Sequence, residues 1–267
     1  MFEALAAAGF DGVELNLDRD DAEGHSLTMH TSAAELAQIR RQANDAGLEI
    51  SGISTSLSGP GGSNDASVRE KQRTVLLRQL ELAQALGADA VLTVPGGMDP
   101  TPPAPNAAHP STTLLQAHNN SLEFYASLKG EIAASGIQVG VENVWNGFFT
   151  SPFHMASYID HLDSPFIGAY LDVGNMLEFS NPEPWIEILG QRIKKIHVKD
   201  FSRSRGTFSG GAWVNLLEGD ANWPGIMAWL RHVGYDNYLT AELAITEYKP
   251  EYLYQITSAA LDIIVGL

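Results

Sequence analysis

The feature that most constrains the fold is a unit that recurs along the chain: an amphipathic helix, a glycine and a short apolar strand. Glycines such as Gly47 and Gly87 stand just before a strand, as expected for helix C-caps, because glycine adopts the left-handed conformation at little steric cost. Seven strands fit the pattern, at 12–17, 49–55, 90–95, 138–144, 166–173, 193–201 and 238–243. Strands that alternate with helices predict a parallel β/α architecture.

The predicted helices outnumber the predicted strands by one. They lie at about 1–8, 33–46, 67–86, 114–135, 152–162, 182–190, 222–233 and 249–265. Eight helices and seven strands are one strand short of a (β/α)8 TIM barrel, so we expect an α/β barrel that lacks the usual first strand at the N-terminus. A doubly wound open sheet is the alternative, but no GxGxxG motif follows the first strand, which disfavours a dinucleotide-binding version.

The length fits a single domain covering residues 1–267, because α/β barrels of about 250 residues form one unit. Hydrophobic residues make up 44% of the chain, enough for a large core. Two segments rich in glycine and proline, 56–67 and 95–113, follow strands at the end where barrel active sites lie. We therefore expect these segments to be lids rather than domain linkers.

Charge and composition exclude several classes of partner. The chain has 32 acidic and 16 basic residues, a formal charge of −16, which disfavours binding to nucleic acid or to anionic membranes. It has no cysteine and therefore no disulfide or thiolate metal site. No apolar stretch reaches the roughly 18 residues of a membrane span, and the first residues lack the basic region of a signal peptide. These features predict a cytoplasmic protein.

Four predicted strands end in a residue that can bind a metal: Glu142, Asp172, His197 and Glu242. A buried strand has no structural need for a carboxylate, and burying an unpaired one is costly. In a barrel all four side chains would meet at the mouth, where the repulsion between carboxylates requires a cation. Three carboxylates and one imidazole favour Mn²⁺, Mg²⁺ or Co²⁺ over a structural zinc ion, although Zn²⁺ stays open as a catalytic ion.

Five ordered motifs resemble the xylose isomerase-like TIM-barrel superfamily of sugar and sugar-phosphate isomerases and epimerases. They are VENVWN (141–146), YLDVGN (170–175), HVKDF (197–201), LLEGDANWP (216–224) and LTAEL (239–243). The resemblance covers nearly the whole chain and is specific for the superfamily. The resemblance does not identify the substrate, because the superfamily also contains inosose-processing enzymes, C-glycoside-cleaving lyases and an apurinic endonuclease branch.

The resemblance implies that Glu142, Asp172, His197 and Glu242 bind one divalent ion, most simply Mn²⁺. In the ketose 3-epimerase branch, the glutamates that match Glu142 and Glu242 also act as an acid/base pair on opposite faces of the substrate. The cation would stabilise an enediolate while one carboxylate removes a proton and the other returns one.

Substrate contacts are also implied by the resemblance. Arg203, six residues beyond His197, matches a substrate-contacting arginine of the 3-epimerases. Lys199, in the same loop, is a second candidate, and its pairing with Asp200 or Glu218 is the alternative.

Further candidates come from other loops near the predicted mouth. Trp145 would give an apolar wall for one face of a sugar, and His30 follows the first strand's loop and could reach the mouth. Glu14 could have a functional role, or it could make only a structural hydrogen bond inside the barrel. Phe148 stands where some 3-epimerases have a glutamate, and Asn175, a substrate-binding candidate, stands where that branch has a histidine. The substrate contacts are therefore expected to differ from those of the well-known free-ketose epimerases.

The function that these residues favour is metal-dependent epimerisation of a sugar or sugar phosphate through an enediolate, at C3 of a ketose. Aldose–ketose isomerisation, and lyase or dehydratase chemistry on a keto-sugar or inosose, use the same intermediate and stay open. The endonuclease branch is excluded, because it would need many histidine ligands and a basic face. A non-catalytic sugar-binding or partner subunit is the remaining class. The apolar segment 256–267 could pack on the barrel or on a second copy in a homo-oligomer.

Overall fold

Helices and strands alternate along the chain, as the repeating unit predicts. The computed structural model describes residues 1–20, 27–57, 61–97, 111–205, 210–243 and 249–267. The helices are α1 (Phe2–Ala8), α2 (Ala33–Asp45), α3 (Ala66–Leu86), α4 (Leu114–Ser127), α5 (Lys129–Ser135), α6 (Pro152–Leu162), α7 (Pro182–Leu189), α8 (Trp223–His232) and α9 (Pro250–Gly266). The strands are β1 (Gly12–Asp18), β2 (Leu27–Thr28), β3 (Glu49–Thr55), β4 (Ala90–Thr93), β5 (Gln138–Glu142), β6 (Ile167–Asp172), β7 (Ile193–Val198), β8 (Asp200–Ser202), β9 (Ala212–Val214) and β10 (Leu239–Ala241).

Eight of the strands form one parallel sheet of the TIM-barrel type. Its order is β10-β7-β6-β5-β4-β3-β1-β2, and the two-residue strand β2 pairs only with the end of β1. Within the described ranges β10 pairs with β7 and has no strand between it and β1, so the barrel is open along one seam. The prediction of a barrel without its usual first strand is confirmed.

Side chains and helices bridge the open seam. The hydroxyl of Tyr238, next to β10, donates a hydrogen bond of 2.8 Å to Glu49 at the start of β3. On the outer side, α1 packs against α9. A cavity of about 420 Å³ remains in the seam, and its lining runs from Leu5 of α1 to His197 of β7. The opening therefore reaches the interior of the barrel near the mouth.

The helix ends follow from local sequence. At the start of α2, the Ser32 hydroxyl accepts a hydrogen bond from the Glu35 N–H, and the Glu35 carboxylate accepts one from the Ser32 N–H. This capping box satisfies two backbone donors that a helix N-terminus otherwise leaves unpaired. Pro152 and Pro182 are the first residues of α6 and α7, where a missing N–H costs nothing. α1 ends at Gly9, whose φ of 101° suits glycine.

Two predicted elements divide in the structure. The helix expected over 114–135 is interrupted at Leu128, which gives α4 and α5. The strand expected over 193–201 leaves the barrel sheet after Val198. The following residues, Asp200–Ser202, form β8, which pairs with β9 in an antiparallel hairpin above the mouth.

A buried lysine helps to close the end of the barrel opposite the mouth. Lys195 lies near the start of β7, and its side chain is 2% exposed. Its ammonium contacts Asp89 Oδ1 at 2.7 Å and donates to Asn237 Oδ1 at 2.9 Å, so its charge is paired. No helix within the described residues is long and apolar enough to cross a membrane.

Candidate metal centre

The sheet brings the four strand-end residues together. Asp172, the last residue of β6, is the register partner of His197 on β7. Glu142 is the last residue of β5, and Glu242 follows β10, where its N–H donates to Val198 O at 3.0 Å. One possible ligand atom from each of these four side chains lies within 4.8 Å of all the others.

Asp172 is held so that one of its oxygens faces this group. Its Oδ1 accepts hydrogen bonds of 2.8 Å from the N–H groups of Gly174 and Asn175. The side chain of Asn143 accepts from the Asp172 N–H and donates to the Asp172 carbonyl, which holds the backbone in place. The Asp172 side chain is fully buried, and burial raises its pKa to about 7, although the charge of Lys199 acts in the opposite direction.

His197 is oriented by a second carboxylate outside the group of four. Its Nε2 lies 3.0 Å from Glu14 Oε1, and the Tyr170 hydroxyl donates to the other oxygen of Glu14. Burial alone would lower the pKa of His197, but the charge and hydrogen bond of Glu14 raise it well above its usual value. Glu14 is itself buried, which raises its pKa, yet His197 and Tyr170 bring that pKa below its ordinary value.

The second ring nitrogen of His197, Nδ1, is placed as a metal ligand would be. His197 Nδ1 is buried and makes no hydrogen bond to any described residue, while Glu242 Oε2 and Glu142 Oε1 lie 3.3 and 3.9 Å away. Once Nδ1 has given up its proton, a hydrogen bond from Nε2–H to a carboxylate leaves the lone pair of Nδ1 free to coordinate, as in many metal-binding histidines. With the oxygens of Glu142, Asp172 and Glu242, the donor set fits a divalent cation.

Lys199 also enters this group, as a charged neighbour of the carboxylates. Its Nζ lies 2.9 Å from Asp172 Oδ2 and 2.6 Å from Glu242 Oε2. The alternative pairing with Asp200 or Glu218 is not formed. The Asp200 carboxylate instead accepts hydrogen bonds from the N–H groups of Leu217, Gly219 and Ala221.

Asn175 and Trp145 lie beside the centre. Asn175 Nδ2 donates to Glu142 Oε1 at 3.3 Å, and the Trp145 indole N–H donates to the Asn175 carbonyl. The Trp145 ring is stacked obliquely on Trp213 of β9, with 4.9 Å between ring centroids, and both side chains are about half exposed. Together they form an aromatic wall near the mouth.

The guanidinium of Arg203 is bound to the loop that follows β6. Its Nε donates to Leu177 O at 2.6 Å, and one terminal nitrogen donates to Ser180 O at 2.7 Å and Asn181 Oδ1 at 3.1 Å. Among the described residues, the other terminal nitrogen has no hydrogen-bond partner. Arg203 therefore ties two mouth loops together.

Two residues considered from the sequence lie away from the four-residue group. The His30 side chain is 81% exposed, lies 3.4 Å from Asp20, and lines a shallow cavity against α2. Phe148 is buried and packs against Tyr158 and Phe149, so it belongs to the core. Of the two predicted lids, residues 58–60 and 98–110 lie outside the described residues.

Sequence reasoning missed two contributors to the site. Trp213 lies with Asn215, Glu218 and Glu242 around a cavity of about 550 Å³ next to Lys199. Its position depends on the β8–β9 hairpin, which the sequence does not signal. Tyr170 supports Glu14 from inside the barrel. Its signal was present, because a tyrosine in the buried run GAYLDV needs a partner for its hydroxyl.

Comparison with known proteins agrees with this architecture. A family model described as "Xylose isomerase-like TIM barrel" matches residues 2–262. The chain is 28% identical over 262 residues to a protein of Escherichia coli (strain K12) named "Putative L-ribulose-5-phosphate 3-epimerase SgbU". That match covers 95% of this chain and 85% of the relative.

Solved structures share the fold at low identity. A D-psicose 3-epimerase crystallised in the presence of D-fructose superposes with a TM-score of 0.77 at 17% identity, covering 100% of this chain and 93% of that one. The 3-keto-D-glucoside 4-epimerase YcjR from E. coli gives a TM-score of 0.77 at 15% identity, with the same coverage of 100% and 93%. At such identity the likeness is one of fold.

Proposed function

The chain belongs to the xylose isomerase-like TIM barrel family, and from that premise we propose that it is a divalent-metal-dependent sugar or sugar-phosphate epimerase acting at C3 of a ketose. The observation that carries the proposal is the convergence of Glu142, Asp172, His197 and Glu242 within 4.8 Å at the carboxyl ends of the strands. The name of the E. coli relative, an L-ribulose-5-phosphate 3-epimerase, supports the same reaction class.

The four residues would hold one divalent ion, with Mn²⁺ as the first choice and Mg²⁺, Co²⁺ or Zn²⁺ as alternatives. When bound, such an ion supplies Lewis-acid polarisation of a substrate carbonyl. His197 would coordinate through Nδ1, because Nε2 is engaged by Glu14. Asp172 would use Oδ2, because Oδ1 is engaged by two backbone N–H groups.

Glu142 and Glu242 are the proposed acid/base pair. One carboxylate takes the proton from C3, and the C–H electron pair forms the C2=C3 bond of an enediolate whose negative charge rests on the C2 oxygen. The other glutamate, in its acid form, returns a proton to C3 from the opposite face. Their settings differ, because Glu142 is buried beside Asn175 whereas the Glu242 side chain is half exposed beside the cavity.

Substrate contacts form the second part of the proposal. Trp145 would pack against an apolar sugar face, Asn175 and Lys199 would donate to hydroxyls near the ion, and Arg203 would use its remaining nitrogen for a hydroxyl or phosphate. His30 is retained as a predicted substrate contact, although it lies away from the four-residue group in the structure. A cytoplasmic location completes the proposal and rests on the cysteine-free composition.

Deuterium exchange tests the reaction directly. The Mn²⁺-loaded protein is incubated in D₂O with a panel of ketoses and ketose phosphates, and label is located by NMR. We expect label at C3, lost in Glu242→Gln and kept in Glu218→Gln, a matched control that lines the same cavity outside the four-residue group. The metal content of each variant is measured, so that loss of the ion is distinguished from loss of the base.

The other functions predict different outcomes of the same experiment. Label at C1 or C2 would assign an aldose–ketose isomerase, and loss of a group β to the carbonyl would assign a lyase or dehydratase. Sugar binding without exchange, in protein that holds its metal, would assign a non-catalytic sugar-binding subunit. Each of these results would overturn C3 epimerisation.

A further inference from the structure

The ammonium of Lys199 contacts two of the carboxylate oxygens that a divalent ion in the four-residue group would use. It contacts Asp172 Oδ2 at 2.9 Å and Glu242 Oε2 at 2.6 Å, and both residues belong to the four-residue group. The Lys199 side chain is 14% exposed and that of Asp172 is fully buried, so their contact is shielded from water, whereas Glu242 is 51% exposed. The attraction within a shielded pair is stronger than that within an exposed one, and removing one partner leaves a costly unpaired charge.

The chain holds the lysine in this place from two sides. Its aliphatic stem crosses Gly174, where a β-carbon would come within 2.3 Å of Lys199 Cγ, so only glycine leaves room for it. On the other side the ammonium lies 5.1 Å from the centre of the Trp213 ring, a favourable cation–π distance. The position of Lys199 is thus built by neighbours that are not themselves ligands.

A lysine ammonium and a divalent ion compete for these two oxygens. A coordinated carboxylate oxygen lies about 2.0–2.6 Å from its ion, which leaves no space for an ammonium at hydrogen-bond distance on the same side. Two cations so close would also repel each other strongly in a buried setting. Occupation by one therefore weakens the binding of the other.

We propose that Lys199 is a built-in competitor of the metal, and that a divalent ion binds by displacing its ammonium from Asp172 and Glu242. The displaced ammonium has room to move into the adjoining cavity of about 550 Å³, which is lined by Trp213, Asn215 and Glu218. Asp172, which is fully buried, thereby keeps a cationic partner whether or not the ion is bound. The competition lowers the affinity for the metal. It also stabilises the metal-free protein, because the buried Asp172 carboxylate stays paired.

Calorimetric titration with Mn²⁺ tests the competition without any substrate. We expect Lys199→Met to bind Mn²⁺ at least about tenfold more tightly than the wild type, since a close charge pair no longer has to be broken. Lys199→Arg, which keeps the charge, should not show this gain. Arg205→Met is the matched control, because Arg205 lies six residues further along the chain, after β8, and pairs with Glu218, outside the four-residue group.

The direction in which Lys199→Met changes the Mn²⁺ affinity decides whether Lys199 competes with the metal. If Lys199→Met bound Mn²⁺ as the wild type does or more weakly, Lys199 would be a support for the ligands and the competition would be refuted. An equal gain in Arg205→Met would also refute it, because the effect would then be general electrostatics of the loop. Neither result depends on which sugar, if any, the protein transforms.

A measurement on the wild type covers the case in which Lys199→Met does not fold. In metal-stripped protein, the shielded ammonium should give a slowly exchanging ¹⁵N-lysine signal, identified by its loss in Lys199→Arg. Saturation with Mg²⁺, verified by calorimetry, should shift or abolish that signal. A signal that stays unchanged at saturation would refute displacement of Lys199.

Discussion

Glu14 determines which nitrogen of His197 faces the metal centre. Its carboxylate engages Nε2 at 3.0 Å and receives a hydrogen bond from Tyr170, which leaves Nδ1 directed at Glu142 and Glu242. A negative charge behind the ring also makes the coordinating nitrogen a better donor. Glu14 is thus a positioning residue that acts through His197.

Replacing Glu14 by glutamine should weaken metal binding. The amide keeps the size of the side chain but loses the charge behind His197, and such changes cost about 10- to 100-fold in affinity. Titration of the folded variant with Mn²⁺ measures this directly. Tyr170→Phe is the control, because it removes the support of Glu14 but leaves the carboxylate, and a smaller loss is expected.

An unchanged Mn²⁺ affinity in Glu14→Gln would show that His197 does not depend on Glu14.

From the sequence, a functional role and a structural role for Glu14 were equally well supported, for a physical reason. A carboxylate inside the apolar strand GVELNL is conspicuous, but its partner is 183 residues away and across the barrel. The convergence of Glu142, Asp172, His197 and Glu242 was easier to predict, because the carboxyl ends of barrel strands meet at one face.

At the scale of single elements, the β8–β9 hairpin was the least predictable part of the fold. The run from Ile193 to Phe201 reads as one strand because apolar residues are spread along it and no glycine or proline interrupts it. In the structure it divides at Lys199, whose side chain turns towards Asp172. The division depends on Asp200 binding the N–H groups of a loop that comes about 17–21 residues later, a contact no local pattern contains.

That loop contains a backbone conformation that suits its residue poorly. Leu217 has φ of 70°, in the left-handed region, where a β-carbon is unfavourable by about 1–2 kcal/mol. Its side chain is 40% exposed, so little burial would be lost on removing it. We expect Leu217→Gly to stabilise the protein by up to about 1 kcal/mol after the entropic cost of glycine, or roughly 2–4 °C in Tm.

Thermal unfolding of Leu217→Gly and Leu217→Ala separates the relief of backbone strain from the effect of removing the leucine side chain. The alanine variant loses the same apolar side chain but keeps the β-carbon, so no gain in Tm is expected from it. If alanine stabilised as much as glycine, removal of an exposed leucine would be the cause. A lower Tm in the glycine variant would mean that the side chain contributes more by packing than the backbone loses by strain.

At the scale of the molecule, the four-residue group forms only when the barrel is assembled. Its side chains lie at the ends of four strands and span the chain from Glu142 to Glu242. The helix–glycine–strand repeat was enough to predict this assembly, because it fixes the direction of every strand. It did not reveal how the open seam is bridged, since the bond from Tyr238 to Glu49 joins exposed residues with no local signature.

Because the unfolded chain has no such site, a divalent ion should stabilise the whole fold. At a free Mn²⁺ concentration of 100 times Kd, linkage predicts about 2.7 kcal/mol, or roughly 5–10 °C in Tm for a domain of this size. Excess EDTA should reverse the gain. Asp172→Asn should lose most of it, whereas Glu218→Gln, outside the four-residue group, should keep it.

Scanning calorimetry at several Mn²⁺ concentrations measures the effect, and its dependence on concentration gives Kd independently of titration. The Lys199→Met variant adds a second test of the stabilisation by Mn²⁺. Without the ammonium, Asp172 is left buried among carboxylates, so the metal-stripped variant should unfold at a lower temperature than the wild type and gain more from Mn²⁺. An equal gain in Asp172→Asn would place the stabilising ion elsewhere in the molecule, and the four strand ends would then not be its site.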